Sequence, residues 1–326
     1  MKVGIVTFHR AHNCGAALQC AALVMVLQRM GHTVKVIDCN NVGESHWPNF
    51  RGVRTIRGLV GFLVRLAMSI GIADRFFRHY RLFRRRLIPM TQNCIGKKFP
   101  DEFDRIIVGS DQVFNPVITG SQTNAFLLKD FPNNSKKSSY AASFGAATLP
   151  EQYRGDFAAE LAKFKHLGFR ESSAEKICRE ELGINVKTQT VLDPTLLLDA
   201  YDYKEFESPS YVGGEYVVIY WGGRCGEEAR AIAHKLAVKH GLKVVFINQW
   251  PLSRFRQRKG DWIGMPPDRF LWLMRNARFV ISTSFHGTAF ALINRKPFIV
   301  IRPVGYDLVR QAKLDTTSEM KGVHSD

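Results

Sequence analysis

Short β-branched runs alternate along the chain with helix-length amphipathic segments, the pattern of parallel sheets joined by crossover helices. Val3–Phe8 reads as a buried strand, His9–Gly15 as a loop, and the stretch from about Ala16 to Met30 as a helix. Leu18, Ala22, Val26 and Met30 keep its register, and Gly31 stops it. Further strands are expected over Thr33–Asp38, Arg105–Val108, Lys137–Ser143, His166–Phe169 and Thr190–Leu192, the last just before Asp193-Pro194. Between Asp199 and Gly214 the texture changes to Tyr, Asp, Glu, Ser, Pro and paired Gly. The alternation then restarts with strand Tyr216–Tyr220, a Gly222-Gly223 turn, helix Glu227–His240 and strand Lys243–Ile247. Helix Asp268–Asn276, strand Phe279–Ser282, a helix from Thr288 and strand Phe298–Ile301 complete it. The expectation is an α/β protein with two open sheets in tandem. Residues 1–205 form the first domain with a basic helical insertion at about 51–90, residues 206–310 the second, and 311–326 a polar tail. Open α/β sheets bind ligands beyond the carboxyl ends of their strands, so the cleft between the two is the expected site.

Composition agrees and narrows the class. A chain of 326 residues with 45% hydrophobic and 11% aromatic content can bury two cores and is not disordered. The opening Met1–Phe8 is too short for a signal peptide before His9-Arg10 breaks it. The longest apolar stretch, Gly58 to Ile72, is interrupted by Arg65 and falls short of the roughly 20 residues a spanning helix needs. A soluble cytoplasmic protein is expected. Six cysteines, at 14, 20, 39, 94, 178 and 225, make no CxxC pair and no zinc spacing, so reduced thiols and no metal or cofactor are expected.

Charge changes the picture more. The net charge is +17, and Arg51 to Arg86 holds ten arginines against one acid, Asp74. A solvated helical pair docked by its apolar face explains this, as does peripheral contact with an anionic membrane surface. Nucleic-acid binding is the third reading. No aromatic-interleaved RNA motif or zinc finger supports it, and no nucleic-acid partner is expected.

Candidate chemistry gathers at strand-to-helix junctions, where backbone N–H groups and helix dipoles favour anions. After the first strand, Asn13 is placed to cap a helix and Gly15 to permit close approach. Gly109-Ser110-Asp111 ends another strand. Arg170 ends the His166–Phe169 strand, where it suits a carboxylate or phosphate, or else a salt bridge with Glu171 or another acid. Gly223 and Arg224, within Gly222–Gly226, make a phosphate nest without a nucleotide fingerprint. Ser282–Thr288 is the strongest local signal: it delivers His286 just before Gly287, with Ser284 and Thr288 placed to hold an anion. His286 suits proton transfer near neutral pH, with a purely structural histidine as the alternative.

Taken in order, these segments resemble the polysaccharide pyruvyl transferase family. The carrying residues are Gly4–His9, Asn13–Gln19, Gly109–Asn115, Ser139–Gly145, Arg170-Glu171, Val191–Thr195 and Ser284–Ala289. The resemblance implies a GT-B-like pair of Rossmann-like domains. It also implies transfer of pyruvate from phosphoenolpyruvate to a sugar of a glycan or lipid-linked acceptor, as a cyclic ketal. His286 maps onto the family's functional histidine, and Arg170 onto an arginine that helps bind phosphoenolpyruvate. Many members carry an arginine two residues before that histidine. Here the position is Ser284, and Arg224 and Arg302 are the candidates to substitute. A nucleotide-sugar glycosyltransferase of the same architecture and a non-catalytic module of an envelope-polysaccharide complex are the rival readings.

Overall fold

The structure, a computed structural model, describes residues 1–44, 74–131, 133–221, 226–248, 261–263 and 265–301. The turn holding Gly223 and Arg224, the position of Arg302, the tail 311–326 and part of the basic stretch lie outside these.

Two all-parallel sheets follow one another along the chain. The first has six strands in the order β2-β1-β3-β4-β5-β6: β1 (Lys2–Val6), β2 (Thr33–Val36), β3 (Arg105–Val108), β4 (Lys137–Ala142), β5 (His166–Phe169) and β6 (Thr188–Thr190). The second has five in the order β11-β10-β7-β8-β9: β7 (Tyr216–Trp221), β8 (Lys243–Asn248), β9 (Asp261–Ile263), β10 (Phe279–Ser282) and β11 (Phe298–Val300). These are two Rossmann-like sheets in tandem. The first strand of each sheet has successors on both sides, which makes a topological switch point between β1 and β3 and another between β7 and β10.

Strand β1 is buried on both faces, Ile5 on one and Val6 on the other, each at 0% exposure, which is why the strands read as continuous apolar runs rather than as alternation. Among the described residues the longer helices are α1 (Cys14–Arg29), α2 (Asp74–Leu87), α3 (Glu151–Leu161), α4 (Gly226–His240), α5 (Pro267–Asn276) and α6 (Phe285–Ile293). None of the described helices is long and apolar enough to cross a membrane.

One apolar cluster runs through both halves. Leu18, Ala21 and Ala22 of α1 share it with Tyr203, Val218, Phe270 of α5 and Phe290 of α6. The Phe290 ring meets Tyr203 edge-on at 5.0 Å and Phe270 at 5.4 Å. A second cluster behind the first sheet centres on Phe114, which packs against Phe144, Phe157, Phe164 and Phe169. The first sheet ends at Thr190 and the second begins at Tyr216, so the division proposed at residue 205 falls in their connection. That connection includes the short helix Ala200–Lys204, closed by an Asp199/Asp202 capping box.

Three boundaries differ from the sequence reading for identifiable reasons. The predicted strand Thr33–Asp38 stops at Val36, because the Asp38 carboxylate is taken up by His9 Nε2 at 2.9 Å and by Arg10 at 2.6 and 2.7 Å. Strand β6 lies two residues earlier than predicted, leaving Val191-Leu192 to lead into the Asp193-Pro194 turn. Helix α6 begins at Phe285 rather than Thr288, so His286 stands in its first turn and not in a loop.

Candidate functional site

The site lies where the switch points of the two sheets face each other, and each side chain arrives at a strand end. Helix α1 opens directly after the loop that follows β1. Asn13 has extended backbone there, and its Oδ1 accepts the Ala16 N–H at 3.1 Å, an ordinary N-cap. The α1 start is packed against α6: a Cβ on Gly15 would overlap the His286 imidazole. Only glycine lets the two helix starts approach this closely. Their N-termini therefore converge, and both dipoles favour negative charge at the same place.

Arg170 follows β5 and is 1% exposed. Its Nη1 donates to Asp193 Oδ2 at 2.9 Å, its Nη2 lies 3.5 Å from Asp111 Oδ1, and its guanidinium carbon sits 4.5 Å over the Phe285 ring. Of the alternatives read from sequence, an acid partner is present, but it is Asp193 with Asp111 rather than a direct Glu171 bridge. Glu171 Oε1 instead accepts the Phe144 N–H at 3.1 Å. Two Arg170 donors, Nε and Nη2, are buried and have no hydrogen-bond acceptor among the described residues.

Asp193 ties the two halves together. Its Oδ2 accepts from Ser110 Oγ at 2.7 Å as well as from Arg170, and His286 Nε2 stands 3.9 Å from the same oxygen. Its Oδ1 accepts the Thr195 N–H at 3.0 Å and the Thr195 hydroxyl at 2.8 Å. Burial pushes the Asp193 carboxyl upward. The charges of His286 and Arg170, with the bonds from Thr195 and Ser110, outweigh it and hold the group below the usual carboxylate range. Burial likewise works against the Arg170 charge, and Asp193, Asp111 and Glu171 overcome it.

The structure brings together His286, Arg170, Ser110, Asp111 and Gly15, with Asn13 capping the adjoining helix. Ser284 and Thr288 are engaged locally: Ser284 Oγ accepts the Gly287 N–H at 3.0 Å as the α6 N-cap, and the buried Thr288 hydroxyl donates to the Ser284 carbonyl at 3.1 Å. Sequence reasoning did not assign Asp193. Its signal was an Asp-Pro step beyond a strand end, and its partners are 23 and 83 residues away along the chain. Cys14 stands buried at the start of α1. Burial pushes its thiol up to about 12, so it stays protonated at neutral pH.

Chemically the cluster offers an imidazole for proton transfer beside a fixed carboxylate, buried guanidinium donors and two helix N-termini. Two carboxylates, Asp193 and Asp111, lie against Arg170, one of the three arginines that the sequence offers as anion ligands. The other two, Arg224 and Arg302, fall outside the described residues. Among the described residues no group of three His, Cys, Asp or Glu side chains is arranged to hold a metal ion.

A sequence model of the polysaccharide pyruvyl transferase family matches residues 13–303. Comparison with curated proteins finds no match. Solved structures resemble the chain over nearly its whole length at low identity. The UDP-GlcNAc 2-epimerase of Neisseria meningitidis, bound to UDP-GlcNAc, is 11% identical over 99% of this chain and 92% of that one, with a TM-score of 0.46. The UDP-GlcNAc 2-epimerase of Methanocaldococcus jannaschii is 13% identical over 98% and 92%, also at 0.46. The E. coli heptosyltransferase WaaC, with ADP-2-deoxy-2-fluoro heptose, is 14% identical over 99% of each, at 0.41.

Proposed function

The chain belongs to the polysaccharide pyruvyl transferase family, and on that premise we propose that it moves the pyruvyl group of phosphoenolpyruvate onto a sugar of a cell-surface polysaccharide or its lipid-linked precursor, as a cyclic ketal. The observation that carries this reading is the meeting of His286, from the second sheet, with Arg170 and Ser110, from the first, on the single carboxylate of Asp193.

The reaction needs a proton delivered to the vinyl carbon of phosphoenolpyruvate, which leaves C2 cation-like. A sugar hydroxyl adds to C2 and loses its proton. The C2–O bond to phosphate breaks, and a second hydroxyl adds and loses its proton to close the ring. Phosphate is the only other product. His286 is the general acid that supplies the first proton and the base that receives one from a hydroxyl. Asp193, 3.9 Å away, favours the charged imidazolium. The unsatisfied Nε and Nη2 donors of Arg170 suit a carboxylate or phosphate oxygen, because a buried donor left unmade costs about 1–3 kcal/mol. The converging starts of α1 and α6 add to that preference. No metal or organic cofactor enters the scheme.

The rival glycosyltransferase reading separates in a binding experiment. Thermal unfolding of the full chain is followed with phosphoenolpyruvate and, separately, with nucleotide sugars. Phosphoenolpyruvate at 100 times its Kd is expected to stabilise the fold by about 2.7 kcal/mol. A shift with a nucleotide sugar and none with phosphoenolpyruvate would transfer the assignment to glycosyl transfer.

A further inference from the structure

Helix α2 carries six arginines against one acid in its 14 residues, and of the five from Arg78 onward only Arg84 is buried. The inner face is fixed by the fold. Tyr80 and Phe83 are 2% and 6% exposed within the apolar cluster shared with α1 and the second half of the chain. The Tyr80 hydroxyl donates to the Met265 carbonyl at 3.1 Å, and the Cys14 thiol donates to the same oxygen at 3.2 Å. Arg86 Nη2 reaches the Glu205 carbonyl at 3.2 Å. These contacts pin the helix to both halves of the molecule and fix which way its other face looks.

That other face holds Arg78, Arg81, Leu82 and Arg85, all exposed, with Leu82 at 51%. Spacings of three, four and seven residues put them on one stripe, about 10 Å long at the helical rise. Folding does not require this composition. The apolar demand of the helix is met on the inner face, and arginines three and four residues apart repel one another.

We infer that the Arg78–Arg81–Leu82–Arg85 stripe docks α2 on an anionic lipid bilayer. The arginines complement the acidic headgroups, and Leu82 enters the headgroup–acyl boundary. The leucine favours a bilayer over nucleic acid, which would be held through phosphates alone and would gain nothing from it. Because the inner face of α2 is tied into the protein, the attachment is peripheral and reversible, and it weakens as salt screens it. Docking does not depend on the transfer chemistry. One consequence does rest on that reading: α2 touches Cys14, the neighbour of Gly15 against His286, so a docked helix holds the site one helix layer from the membrane, where a lipid-linked acceptor resides.

The test is co-sedimentation of the full chain with phosphatidylglycerol/phosphatidylcholine vesicles and with phosphatidylcholine vesicles, at low and high salt. Salt-sensitive binding to the anionic vesicles alone is expected. Each single change Arg78→Gln, Arg81→Gln or Arg85→Gln should weaken it about fivefold, and the triple variant on the order of 100-fold. Leu82→Ser should weaken it by a further factor of about five. All four side chains are exposed, so unchanged thermal unfolding checks that the variants fold, and the single changes serve if the triple variant does not. Equal binding to neutral vesicles, or anionic binding untouched by these changes, overturns the inference. Duplex DNA binding that needs the three arginines and ignores Leu82, with no vesicle binding, assigns the stripe to nucleic acid instead.

Discussion

Replacing His286 with glutamine is expected to lower turnover by about 10²- to 10⁴-fold while the protein stays folded. Glutamine keeps a polar side chain of comparable reach beneath Gly15 but cannot take up and release a proton near neutral pH. The ring is 6% exposed and lies against the α1 backbone, so a purely structural role is the serious competitor. The two roles predict opposite outcomes. If the ring only fills space beside Gly15, the variant loses stability and retains its rate per folded molecule. If the ring moves protons, stability changes little and phosphate release from phosphoenolpyruvate collapses. Steady-state phosphate release, measured with the denaturation midpoint of the same preparation, distinguishes them.

Asp193→Ala is expected to be the most destabilising single change in the site, at about 3–5 kcal/mol, because it strips a fully buried guanidinium of its nearest counter-ion. That is a large part of the roughly 5–15 kcal/mol by which folded domains are stable. Asp111, 3.5 Å from Nη2, compensates only partly. The Asp193→Asn variant retains a side-chain carbonyl for Ser110 or Thr195 and should fall between the two. The pH dependence follows from the direction of the carboxyl's shift. Its folded-state pKa is depressed below the ordinary value of about 3.9. Asp193 therefore contributes its full stabilisation above that value and loses it as pH falls through the lower, folded-state pKa. Urea midpoints of the wild type and Asp193→Asn should differ most near neutrality and converge in acid. A constant gap across that range would mean that the Asp193 charge contributes nothing.

Much of this architecture was legible because parallel strands buried on both faces announce themselves as short β-branched runs, and β3 and β10 fall where those runs lie. Strand ends were harder to read. A strand stops when its polar residues find tertiary partners, as Asp38 does with His9 and Arg10, and those partners are invisible in a local window. The start of α6 was hidden for another reason. Phe285-His286-Gly287 has poor helix propensity, and Ser284, read as an anion ligand, was not read as the N-cap with which the helix begins. Helix α3 was missed because it buries little, mainly Phe157, Glu160 and Leu161, and carries Gly155 at its centre. Three-residue β9 offers no periodicity to detect.

Within the site, the residues at strand ends were legible one at a time. Their grouping was not. Asp193 takes its importance from Ser110, Arg170 and His286, which only the packing of two sheets brings to one oxygen. Arg170 was read as a carboxylate or phosphate ligand, or else as the partner of an acid. The fold gives it two carboxylate partners, while its Nε and Nη2 make no hydrogen bond among the described residues.

The most direct measurement is mass spectrometry of candidate acceptor glycans after incubation with the full chain and phosphoenolpyruvate. Pyruvyl transfer at this site predicts a pyruvylated glycan formed in step with one released phosphate, and neither product with His286→Gln. Glycosylated product from a nucleotide sugar, with phosphoenolpyruvate untouched, would contradict it.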